Sequence, residues 1–194
     1  MIFGLFGRRF DDETIDLYGS IVAEARRPVF YLAFGVPDTV TARFDMIVLM
    51  TALVLNRLET EPHETEKPRR GAPPTVRERG RRLIDLFFTE MDRALREMGV
   101  GDVGVPKRIK KLASAWNGRF LAYDAALRAE NADELTAAIS RNVLAEVEDR
   151  SGAAPLARFA LAARAALAAA PITEVLAGRI PWPDPETVLP RPAP

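Results

Sequence analysis

The chain has no cysteine and a single histidine, His63. Disulfides, thiolate metal ligands and any site that needs two imidazoles are therefore excluded, and stability must come from packing. A net charge is lacking too: 27 Lys and Arg balance 27 Asp and Glu, so no overall field draws the protein to DNA or a membrane, and any such attraction must be local. No apolar run is long enough to span a bilayer, because the most apolar stretch, Phe44 to Leu58, is interrupted by Asp45, Asn56 and Arg57. The opening MIFGLFGRRF places its few apolar residues before Arg8 and Arg9, the reverse of a secretory signal. Export is not expected, although such an end could touch a membrane surface. Strand-like alternation bounded by hairpin turns is missing as well.

What remains is helical periodicity, and the expected class is all-α, a single compact bundle. A first helix is predicted from Asp11 or Asp12 to Arg27, where Pro28 follows. A short helical turn then ends at Gly35, and Asp38 or Thr39 caps a second long helix. That helix is apolar almost all round from Met46 to Leu55 and should lie at the centre. Residues 59–74, ETEPHETEKPRRGAPP, read as an exposed loop. Further helices are predicted over 75–98, from Pro106 onward, and over 132–148 and 154–169. The ending GRIPWPDPETVLPRPAP holds too much proline for a helix and reads as an extended strap or tail. The domain organisation expected is thus an N-terminal segment 1–10, a helical domain 11–186 and a tail 187–194.

Residues 99–104, GVGDVG, match the glycine pattern of a dinucleotide-binding loop, and Asp124 follows at about the expected distance. That loop needs a strand before it and a helix starting at it, and an amphipathic helix precedes it here. The glycines read instead as a helix stop at Gly99 and a tight connection to Pro106. Beyond them, Lys107, Arg108, Lys110 and Lys111 crowd a helix start, where the dipole favours acids. With the run Arg69, Arg70, Arg77, Arg79, Arg81 and Arg82 they could hold RNA, lipid phosphate or an acidic protein; the other reading is a solvated face balanced by nearby acids.

Catalytic patterns are thin. DDETID (11–16) and the pair Glu90 and Asp92 are the nearest approach to the aspartate-rich helices that hold Mg²⁺ in prenyl-transfer enzymes, and neither is a clean match. The serines lack a nucleophile elbow and His63 lacks a triad context. No enzyme activity, cofactor or metal site is expected. Tyr31, Phe34, Val36 and Trp116 are candidates to line an apolar groove, with Lys107, Lys110, Lys111 and Arg119 as its basic rim.

FGVPDTVTARFDMIVLMTALVLNRL, then DLFFTEMDRALREMGVGDVGVPKRIKKLASAWNGR with Tyr123 after it, and the terminal GRIPWPDP, resemble the bacterial branch of the ubiquinol-cytochrome c chaperone family. The likeness runs from about Asp11 to Glu186. It departs from the family pattern at Met50, where a histidine is common, and at Ala42, where a glycine is. The resemblance implies a helical assembly factor for the cytochrome bc1 complex that binds newly made cytochrome b. It further implies a cytoplasmic location, at most peripheral on the inner face of the bacterial membrane, with a ribosome or a small partner subunit as further contacts. A general RNA-binding helical module is the alternative from another class.

Overall fold

The computed structural model describes residues 10–61, 74–99, 101 and 104–189. Among them the chain is helical with no strand, as the periodicity predicts. The elements are α1 (Asp12–Ala25), α2 (Pro28–Leu32), α3 (Val40–Glu59), α4 (Val76–Glu97), α5 (Val105–Arg128), α6 (Ala132–Asn142), α7 (Ala153–Ala169) and α8 (Ile172–Leu176), then a 3₁₀ turn, Pro185–Val188.

The helix starts are set by short polar side chains, which accept from backbone N–H groups that have no partner within the helix. Asp11 accepts from Thr14, Thr39 from Ala42, and Asn131 from Asp133 and Glu134. At α4 the Thr75 hydroxyl accepts from the Glu78 N–H while the Glu78 carboxylate accepts from the Thr75 N–H, a reciprocal capping box. The ends are equally local. Gly99 follows α4 with φ +80°, a left-handed backbone that L side chains rarely adopt, and its N–H donates to the Arg96 carbonyl.

Every residue of α3 from Phe44 to Asn56 is buried, and the helix touches α1, α4, α5 and α7. A helix apolar on all sides can be stable in water only where other helices cover every face, so α3 is the axis of the bundle. Two of the polar side chains near its end find partners. Asn56 donates to Asp124 at 2.8 Å, and Arg57 donates to the carbonyls of Leu167 and Ala170 at 2.8 and 3.3 Å, closing the C-terminal end of α7.

The boundaries differ from expectation in several places, among them α1, which ends at Ala25 and not at Arg27. α5 starts at Val105, one residue early, so Pro106 is its second residue, still where a missing N–H costs nothing. α6 ends at Asn142 and not at Glu148; the consecutive buried residues Val143 and Leu144 stand where the helix gives way to turns. A short helix that the periodicity did not announce, α8, precedes the proline-rich ending; the ending itself forms the 3₁₀ turn, and through Leu189 it packs on the body by Ile180, Trp182 and Val188. The N-terminal segment 1–9, the central part of the charged loop with His63, Arg69 and Arg70, and the last five residues lie outside the described residues.

Candidate interaction surfaces

The segment that imitates a dinucleotide loop is a helix–helix connection. The Gly104 and Val105 N–H groups both donate to the Gly101 carbonyl, at 2.7 and 3.2 Å. Asp124 is held by Asn56 and by Arg128 at 2.7 Å, so both its oxygens serve the bundle. Just past the connection, Lys107, Arg108, Lys110 and Lys111 are exposed and make no ion pair with a described residue. Lys107, Lys110 and Lys111 share one helix face at i, i+3 and i+4. Among the described residues this is a cationic patch without an ion-pair partner, at the positive end of a helix dipole.

The second cationic run divides. Arg79 is buried and pairs with Asp11 at 2.6 Å and with Glu13, while Arg82 pairs with Asp11 at 2.5 Å. These contacts bind the start of α1 to the start of α4. Partial burial pushes the Asp11 carboxyl up, but its bonds from Thr14 and the charges of Arg82 and Arg79 outweigh it and hold it below the usual carboxylate range. Of the acids of DDETID, Asp11 and Glu13 are thus engaged in helix capping and ion pairs, whereas Asp12 and Asp16 are exposed. Among the described residues no group of three or more Asp, Glu or His could hold a metal ion. Arg77 and Arg81, by contrast, are exposed.

Arg119, expected on a basic rim, reaches inward. Its Nε lies 2.5 Å from Asp45 Oδ1 and its Nη2 3.3 Å from Oδ2, with the guanidinium 5.8 Å from the Phe44 ring centre. Asp45 is 0% exposed. Burial pushes its carboxyl up to about 6, more than Arg119 draws it down, and Glu146 adds to the rise. The adjacent Tyr123 phenol is held neutral by its own burial first and by the Asp45 charge second. Sequence reading passed over Asp45; a lone acid in an otherwise apolar helix was the signal available.

The four apolar candidates do not meet in one groove. Phe34 and Val36 are buried, and Phe34 packs on Phe30, which in turn packs on Phe159 of α7. Tyr31 is half-buried, and its hydroxyl donates to the Ala25 carbonyl at 2.9 Å. Trp116 belongs to a separate aromatic column, stacked on Phe120 at 5.0 Å and set against Phe87 and Phe88.

Two open grooves lie on α4. One, of about 540 Å³, runs between α1 and α4 over Ile15, Tyr18, Val22, Leu86 and Met91. The other, of about 610 Å³, is enclosed by the end of α3, the start of α4 and the second half of α5, and Trp116 and Phe120 are in its wall. Leu121, on the same stretch of α5, is 56% exposed. No described helix is long and apolar enough to cross a membrane.

The family described as "Ubiquinol-cytochrome C chaperone" matches residues 32–182. No curated protein matches the chain. Among solved structures, the crystal structure of the Cbp3 homolog from Brucella abortus is similar over 90% of each chain, with a TM-score of 0.75 and 37% sequence identity. The matched span holds α3, the capped start of α4, the cationic start of α5 and the Asp45–Arg119 pair. On this ground the chain belongs to the ubiquinol-cytochrome c chaperone family.

Proposed function

We propose that this protein is an assembly chaperone for the cytochrome bc1 complex and that its client is newly made cytochrome b. The observation that carries the reading is the family match over 151 residues, 32–182, of the 194-residue chain. The chaperone domain is assigned to residues 11–186, and its place of work to the inner face of the bacterial membrane. The physical task is to cover apolar surface on a subunit whose partners have not arrived. A rigid bundle with open apolar grooves suits reversible cover, and the exposed cations at the start of α5 suit an anionic surface beside the client.

The contacts assigned to the client side are Tyr31, Lys107, Lys110, Lys111 and the Trp116 column. Phe34 and Val36 are buried and Arg119 is engaged by Asp45, so these three serve the bundle from within. Deleting the gene tests the reading: cytochrome b levels and bc1 activity are expected to fall together, and unchanged values of both would overturn it. The unpaired lysines also favour a second reading, contact with ribosomal RNA. In that case RNA retention by the purified protein should weaken steeply with salt, by a power of the concentration close to the number of phosphates contacted.

A further inference from the structure

The groove between α3, α4 and α5 is polarised along its length. α4 and α5 are joined by a short connection and run antiparallel, with Phe87 beside Trp116. Arg77 and Arg81 therefore stand at the end where Arg128 lies, and Ile84 and Trp116 at the other. Arg128 is already engaged by Asp124 and Glu59. Arg77 and Arg81 are not: one turn apart on one helix face, both exposed, they have no ion-pair partner among the described residues and repel each other. At the opposite end, the Trp116 indole N–H has no acceptor although the residue is only 8% exposed.

We propose that this groove receives an amphipathic helix of a partner protein, its apolar face on Ile84, Phe120 and Leu121 and its carboxylates on Arg77 and Arg81. The walls are themselves helices, so their side chains step at one-turn intervals and leave grooves that the ridges of another helix fill. From Trp116 to Arg128 the wall runs roughly 18 Å, about three turns. A lipid phosphate is a single anionic head, whereas two unpaired arginines one turn apart match carboxylates on successive turns of a helix laid along the groove. This inference goes beyond the chaperone reading, since it specifies the chemistry of an occupant and holds whichever protein supplies it.

The test uses the full chain carrying Trp182→Phe, which leaves Trp116 as the one tryptophan of the two. The probes are a peptide of about fourteen residues, built of Leu and Ala with Glu at one end, its twin with Lys for Glu, and phosphatidylglycerol vesicles. The Glu peptide is expected to shift Trp116 emission on binding. The double change Arg77→Glu/Arg81→Glu should weaken it at least about tenfold and make the Lys twin the better ligand. Leu121→Glu, at a solvent-exposed position, should weaken it by a similar factor and serves if the double variant does not fold. The proposal is overturned if the Glu peptide does not bind, if it binds both variants as well as the parent, if the twins bind alike, or if only the vesicles elicit a response.

Discussion

Asp45 is the residue at which this fold carries an electrostatic cost. A carboxylate with no exposure is tolerated because Arg119 faces it at 2.5 Å, yet burial still raises its pKa to about 6, against about 3.8 in an unfolded chain. Between those values the folded protein binds the extra proton, so this group's contribution to stability is greatest at low pH and declines as pH rises through about 6. Arg119→Met removes the counter-charge and leaves the carboxylate buried. The expected loss is about 3 kcal/mol at pH 7.5, shrinking markedly at pH 5, where protonation neutralises the same group. Urea unfolding at the two pH values measures the difference; an equal loss at both would mean that the pair contributes packing and not charge.

At the scale of elements, two glycines make a controlled comparison. A Cβ on Gly152 would lie 1.7 Å from the Phe34 carbonyl oxygen, so the start of α7 can approach the segment after α2 only with no side chain there. Gly152→Ala is expected to destabilise the bundle by about 2 kcal/mol or more through forced backbone displacement. Gly19 sits within α1, and a Cβ there would meet nothing within 4 Å. Gly19→Ala should stabilise by roughly 0.5–1 kcal/mol, the helical cost of glycine removed. Thermal unfolding of both variants should move the midpoint in opposite directions, and a shared direction would contradict the close approach of α7. The contrast also shows what sequence can disclose. The apolar run of α3, the capping residue Thr39 and the stop at Gly99 act within a few residues, and each was legible. The partner of Gly152 is more than a hundred positions away, and so is that of Trp182, whose Nε1 lies 3.4 Å from Ser20. Asp45 is met by Arg119 across 74 positions, and for that reason Arg119 read as a rim residue. Phe34, Val36 and Trp116 carried the composition of a groove, but their distribution over separate packing columns depends on helix rotation, which no local pattern sets.

Over the whole molecule, charge is balanced to zero while its distribution is not, and the start of α5 is where the imbalance is plainest. Cations near the start of a helix oppose its dipole, most of all in the first turn, where Lys107 stands, by about 0.3–1 kcal/mol at an exposed site. Folding alone would therefore favour their loss, and the variant Lys107→Ala/Lys110→Ala/Lys111→Ala is expected to be as stable as the parent or slightly more so. Binding should move the other way. Near an anionic membrane surface each lysine contributes about 1 kcal/mol, so the triple variant should lose roughly 100-fold in affinity for phosphatidylglycerol vesicles at low ionic strength. Because the Debye length shortens from about 30 Å at 0.01 M salt to about 8 Å at 0.15 M, the difference between variant and parent should narrow as salt is added. Vesicle sedimentation across a salt series, run beside thermal unfolding, separates the two effects. A variant that binds as its parent does would remove the membrane-facing role of this patch, and one that unfolds at lower temperature would return the three lysines to the service of the fold.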